Sequence, residues 1–440
     1  MKYNLEIKIV PKEHYIKVSG NIKNIENDIN LFYLNENFTL NKLTNGQNDI
    51  KYIHDKNKPH PLYDLTSRPV ILQTAVKELE FEYDGYIPEI TNDINQIDED
   101  IVELSGYSGW YPKDIIYTEN TETLEPHIKN GDFAFELNIE LPNEYIFAAN
   151  AEIKNIEKSS NITIYNISSY GDDFDIALFA SNKVVKIEKS LNGIYFSSIC
   201  PFIMEKKNTL KLDNLIEGQK IITELLGEPI KKQPTCFINR PRGGWGYART
   251  AFVSMPGITD ENDENLKDLS EKSMILSIGG DLHELSHFWW GIASGIEPED
   301  WINESGAEFT MLAVLKDMIK LDDYKTLIEK NGYIKHINEL ESEAAICETK
   351  TDEWDARYVN RYEKTAIMYI GAEIRFGRKN LFEFLKEFYN QNKTECNATT
   401  DKFLDICEKV LGKDSREYFN WLLYAKGWKN IDIEKDILKY

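Results

Sequence analysis

The sequence predicts an α+β chain in two parts, an antiparallel β-sheet domain followed by a mainly α-helical one. Three observations carry that prediction. Apolar and polar residues alternate through the front of the chain, the apolar spacing switches to a helical period near residue 205, and two histidines four residues apart stand in the helical half. With 440 residues and 42% hydrophobic content, the chain is long enough for two or three domains with real cores.

The strand pattern is clearest at the start. Tyr3, Leu5, Ile7 and Ile9 alternate with polar residues, as do Ile16, Val18 and Ile22, and later Phe133, Phe135, Leu137, Ile139 and Leu141. A period of two with one apolar face marks a half-buried sheet, read here as antiparallel. Short strands separated by Asn, Asp and Gly turns recur to about Tyr195, which makes 1–204 a β-rich domain. Within it ITNDINQIDEDIVEL, residues 90–104, is polar and acidic and reads as a surface loop.

From 205 to 440 the pattern is mainly helical. Leu210, Leu215, Ile221, Ile222, Leu225 and Leu226 fall at helical spacing, and Gly227 ends the run. Two strands are expected around Thr235–Asn239 and Thr250–Met255. The polar stretch PGITDENDENLKDLSEKS is expected to be a loop or short helix, and after Glu308 the chain reads as consecutive helices.

Composition excludes several classes. The 51 Lys+Arg against 74 Asp+Glu give a net charge of −23, a surface that repels nucleic acid and anionic lipid. Cys200, Cys236, Cys347, Cys396 and Cys407 are scattered without a CxxC pair, which argues against a disulfide framework or a thiolate metal site. No secretory h-region and no membrane-length apolar run are present, so the expectation is a cytoplasmic protein without a membrane span.

The chemistry concentrates at His283-Glu284-Leu285-Ser286-His287, in a chain with seven histidines. Residues i and i+4 share one helix face, so both imidazoles can reach one ion. Two histidines so spaced, with a glutamate after the first, form the zinc-hydrolase arrangement. A third ligand should be a carboxylate on a following helix. Glu304 is best placed, within Trp301-Ile302-Asn303-Glu304, while Glu299 follows Pro298 and sits behind it as a candidate. Three protein ligands leave one position for water, the catalytic pattern. Glu284 then suits a general base that takes a proton from that water. Glu308, one turn beyond Glu304, is placed to accept a hydrogen bond from a ligand histidine. Trp289 and Trp290 read as packing, and Arg357, Arg361 and Arg375 as helix-surface charges.

The run HELSHFWWGIASGIEPEDWINESGAEF closely resembles the aminopeptidase N family of zinc metallopeptidases, gluzincins with a thermolysin-like catalytic domain. The resemblance implies that Glu304 is the glutamate ligand, although the loop before it is somewhat shorter than in the family. Arg361-Tyr362-Glu363-Lys364-Thr365 resembles the family's Tyr-Glu-Lys-Gly, whose tyrosine hydrogen-bonds a developing oxyanion, and so implies that role for Tyr362. LFYLNENFTL and ELNIELPNEYIFAANAEI resemble the family's N-terminal sheet domain, and the end of the chain resembles the closing helices of its catalytic domain.

Two departures stand out. The family's Gly-x-Met-Glu-Asn signature, whose glutamate binds the substrate α-amine, is replaced by Arg242-Gly243-Gly244-Trp245-Gly246-Tyr247-Ala248-Arg249, without a carboxylate. Gly243, Gly244, Trp245 and Gly246 are still candidates for lying along a substrate, because glycine lets a backbone approach a strand edge. The chain also stops where the catalytic domain stops, so the family's large C-terminal helical domain is expected to be absent.

The expectation is therefore a metallopeptidase with one Zn²⁺ per chain, acting on a peptide or small amide. A zinc hydrolase for internal or N-blocked substrates, and a catalytically idle binding module, are the alternatives.

Overall fold

A computed structural model describes all residues except 26–27, 47, 59–65, 88–94, 117–132, 172, 231–232, 242–244, 296–297, 330–331, 340–342, 351–353, 429–430 and 439–440. The chain forms an N-terminal region of several sheets and a helical C-terminal region. It divides into two compact units, one of 1–188, 197–205 and 233–261, the other of 189–196, 206–232 and 262–440. The boundary expected at 204 falls where the first long helix begins, but 233–261 returns to the first unit.

The first unit is built on a seven-stranded sheet. Its order is Glu152–Lys158, Ile162–Ser168, Ala134–Pro142, Lys2–Val10, Tyr15–Lys23, Leu79–Tyr86 and Phe38–Thr44. Tyr3, Leu5, Ile7 and Ile9 are all buried, as the alternation requires, and join Ile16, Val18, Phe135 and Leu137 in one core. One pairing differs from the antiparallel expectation. Lys2–Val10 runs parallel to Ala134–Pro142, with Tyr3 opposite Phe135 and Ile7 opposite Ile139. Alternation fixes which face is buried and is identical for either strand direction.

The segment read as a surface loop is a correction. Residues 90–94 lie outside the described residues, but Gln96–Ile97 and Ile101–Leu104 are strands of a four-stranded sheet, and both are buried. Glu103 is fully buried. Its Oε1 accepts from Arg240 Nη1 at 3.2 Å, Tyr247 OH at 3.0 Å and Ser254 Oγ at 2.9 Å. Burial pushes this carboxyl above its ordinary pKa, and Arg240 opposes that. A third sheet in this region has five strands, with Thr235–Arg240 parallel to Phe252–Pro256 and the short strand Tyr247–Arg249 antiparallel at its edge.

The second unit begins with α1, Glu205–Leu226, which buries Leu215, Ile222 and Leu226 and leaves Leu210 outside. Gly227 follows at φ +87°, and its N–H closes on Thr223 O. That left-handed turn is where glycine is favoured after a helix. Two short helices, α2 (Glu264–Lys267) and α3 (Glu271–Leu276), then lead to α4, Gly279–Ser286, and to α5, Trp301–Met318. A buried pair joins α1 to α4, Lys211 Nζ to Asp281 Oδ2 at 2.7 Å.

The remaining helices are α6 (Leu321–Glu329), α7 (Tyr333–Glu339), α8 (Trp354–Tyr358), α9 (Thr365–Phe376), α10 (Arg378–Asn392), α11 (Thr400–Leu411) and α12 (Lys413–Tyr424). Phe309 of α5 stacks on Tyr369 of α9 and Phe382 of α10, tying α5 into the bundle. Among the described residues no helix is long and apolar enough to cross a membrane.

The contact that fixes α5 against the end of α4 is steric. Trp290 is buried, donates from Nε1 to Thr310 Oγ1 at 2.8 Å, and lies over Gly306, where a β-carbon would stand 2.2 Å from the indole. Trp289 is also buried and donates to Gly227 O at 2.7 Å, so both tryptophans serve packing. Gly306→Ala should destabilise the protein by about 1–3 kcal/mol, because Trp290 cannot yield without disturbing the core. Urea unfolding at constant m-value measures this.

Candidate metal centre

His283 lies in the last turn of α4, and His287 is the residue that caps it, still in right-handed helical conformation (φ −63°, ψ −14°). The i,i+4 relation therefore survives to the helix end, and the ring centroids are 5.0 Å apart. Glu304 stands in the first turn of α5. Its Oε2 is 3.5 Å from His283 Nε2 and 3.6 Å from His287 Nε2. The ligand atoms of these three residues lie within 4.8 Å of one another.

The outer nitrogen of each imidazole is also held. His283 Nδ1 is 2.6 Å from Glu308 Oε2, and His287 Nδ1 is 3.2 Å from Trp290 O. In a neutral ring, an acceptor at Nδ1 holds the proton there and leaves the Nε2 lone pair facing inward, available to an ion. Two imidazole nitrogens and one carboxylate oxygen, each with its partner fixed, are the donor set that suits zinc. The residues present fit that ion.

Charge within the cluster is mutual. Burial acts to raise the pKa of Glu304, but the neighbouring imidazoles of His283 and His287 outweigh it and hold the carboxyl well below its usual range. Burial acts to lower both histidines, and the carboxylates around them raise them instead, Glu304 and Glu308 for His283 and Glu304 for His287.

Two other candidate residues, Glu284 and Tyr362, stand beside this centre. Glu284 is partly exposed and close enough to both histidines to raise their pKa. Tyr362 stacks on His283, with centroids 5.5 Å apart at 21°; burial, then the nearby carboxylate of Glu304, keeps its phenol protonated. It sits in a π-helical turn, Val359–Lys364, between α8 and α9. Gly243 and Gly244 lie outside the described residues. Trp245 and Gly246 lead into the edge strand Tyr247–Arg249 of the first unit, where Trp245 is half exposed, packs edge-on to Tyr107, and offers its carbonyl to Arg240.

Two arginines differ from their sequence reading as surface charges. Arg361 is fully buried, and Arg357 nearly so. Asp300 Oδ2 receives Arg361 Nη1 at 2.6 Å and Arg357 Nη2 at 3.0 Å. Their i,i+4 spacing puts both on one face, a signal that a shared partner was possible, but Asp300 is too distant in sequence to be named from it. Arg375 is exposed, over the rings of Phe376 and Tyr418. Glu299 lies in the 3₁₀ turn Pro298–Asp300 and is not part of the cluster.

Sequence reasoning also missed Tyr333 of α7, whose hydroxyl donates to Glu308 Oε1. No local pattern links residues 308 and 333. The residues flanking Glu304 prove to be anchors. Asn303 Oδ1 accepts from the backbone N–H groups of Ile292 and Ala293, and its Nδ2 donates to Ala293 O.

No family profile matches the sequence, and no curated protein matches it. Solved structures do. An M1 zinc metallopeptidase from Deinococcus radiodurans aligns with TM-score 0.67 at 13% identity over 97% of this chain and 93% of its own. A mutant of that peptidase bound to a Tyr-Ser-Ala substrate gives 0.68 at 12%, over 97% and 94%. Legionella pneumophila aminopeptidase A in complex with aspartic acid gives 0.67 at 15%, over 97% of this chain and 49% of that one. The fold is thus that of the M1 zinc metallopeptidases, a sheet-rich front followed by a helical region.

The Tyr333–Glu308–His283 chain generates a prediction. Glu308→Ala should weaken zinc binding about 10- to 100-fold by releasing the His283 ring, and chelator competition reads that affinity directly.

Proposed function

We propose that this protein is a zinc-dependent metallopeptidase that hydrolyses peptide bonds, similar in chemistry to aminopeptidase N. The observation that carries the reading is the convergence of His283, His287 and Glu304, with Glu284 and Tyr362 beside them. Structures sharing its fold include a zinc peptidase holding a tripeptide substrate, which supports the substrate class.

His283, His287 and Glu304 would hold the ion. Bound zinc supplies Lewis acidity, polarising a carbonyl and lowering the pKa of water toward about 7. Glu284 takes the proton of the attacking water and passes it to the leaving nitrogen, which keeps the amine from departing as an anion. Tyr362, held protonated by burial and by Glu304, donates a hydrogen bond to the substrate oxygen as negative charge develops on it. Glu308 keeps the His283 proton on Nδ1 throughout.

Glu284→Gln should retain one zinc per chain and lose turnover about 10²- to 10⁴-fold, measured by metal analysis and peptide hydrolysis on one preparation. Full turnover in that variant would refute the general-base role.

A second reading concerns the substrate's end. Residues 242–249 hold no carboxylate to bind an α-amine, which favours internal or N-blocked peptides over free N-termini. Matched peptides with free and N-acetylated termini decide it. Equal or faster cleavage of the acetylated peptide supports this reading, and cleavage confined to the free one supports an aminopeptidase.

A further inference from the structure

The two oxygens of Glu304 face different partners. Oε2 is the one turned toward both imidazole Nε2 atoms, at 3.5 and 3.6 Å. Oε1 is 3.4 Å from Arg357 Nη2. The same Nη2 is anchored to Asp300 Oδ2 at 3.0 Å, so one guanidinium nitrogen bridges two carboxylates.

Asp300 is itself fixed from several sides. Its Oδ2 also takes Arg361 Nη1 at 2.6 Å, and its Oδ1 takes Asn303 Nδ2 at 3.2 Å. Arg361 in turn donates to Thr349 O at 2.9 Å. Asp300 immediately precedes α5, the helix that carries Glu304 four residues on. Asp300, Asn303, Thr349, Arg357 and Arg361 are buried, and Glu304 is partly so.

We propose, building on the reading of Glu304 as a metal ligand, that Arg357 is a positioning residue: it engages Oε1 of Glu304 and leaves Oε2 alone to face the metal. The chemical reason is coordination number. A carboxylate free to turn can offer both oxygens to an ion, and the second would compete for the position that water and substrate need. A guanidinium suits the task, because it stays charged when buried and its Nη2 carries two N–H groups, one for Asp300 and one for Glu304. Arg357 is buried and already shared between two carboxylates, which makes it a brace for the site rather than a docking point for a substrate anion.

The test uses full-length Arg357→Met and Arg357→Lys beside the wild type and Glu304→Ala, all checked for folding by far-UV circular dichroism. Zinc affinity is read by chelator competition, and the coordination number by the visible absorption of the cobalt-substituted proteins. Arg357→Met is expected to bind zinc about 10- to 100-fold more weakly, with cobalt absorption altered from the wild type. Arg357→Lys should fall between the two. Should Arg357→Met fail to fold, Arg357→Lys alone decides. Wild-type affinity and an unchanged cobalt spectrum in the folded Arg357 variants, alongside metal loss in Glu304→Ala, overturn the positioning role and leave the ligand reading intact. Full zinc occupancy in Glu304→Ala overturns both.

Discussion

The contact between Glu304 and the two imidazoles is what the helical unit is arranged around. A carboxylate enclosed among helices is tolerated when its charge is met by hydrogen-bond donors and a cation. Here the imidazoles come from the end of α4 and the carboxylate from the start of α5, so two helix termini must meet at a fixed separation. Gly306 permits that approach by leaving room for Trp290. Asn303 ties the intervening loop to the same helix, and Lys211 with Asp281 secures α4 to α1 from behind. The carboxylate's position is thus set by packing well outside the cluster itself.

Much of this was legible from spacing. A period of two showed which faces of the front strands are buried, and the i,i+4 histidines showed that one ion could be shared. Both are local relations, in which the chain's own geometry places the partners. Glu304 was the candidate third donor because a carboxylate on a following helix was expected, and it stands beside both imidazoles.

What stayed hidden depended on distant partners. Glu103 looks like a solvated acid within a polar stretch, yet it lies in a buried strand because Arg240, Tyr247 and Ser254 meet it there. Arg357 and Arg361 look like surface charges on a helix, and Asp300 draws them inward. In each case a charge is buried only because an opposite charge far along the chain arrives at the same place, and no window of sequence contains both. Strand direction escaped for a different reason: the alternation of Tyr3 to Ile9 is the same whether Ala134–Pro142 runs with it or against it.

The π-helical turn at Val359–Lys364 has a bearing on how this segment can change. Each residue of an α-helix advances about 100° around the axis, so gaining or losing one residue rotates everything on one side of the event. Arg357 and Arg361 reach Asp300 from before or within this turn, Tyr362 reaches Glu304 from its middle, and α9 is packed against α5 beyond it. A single-residue deletion here would swing the arginines and the tyrosine out of phase with the bundle, whereas the surface loops can change length freely. Relatives that keep this chemistry should therefore keep the length of 357–365 constant.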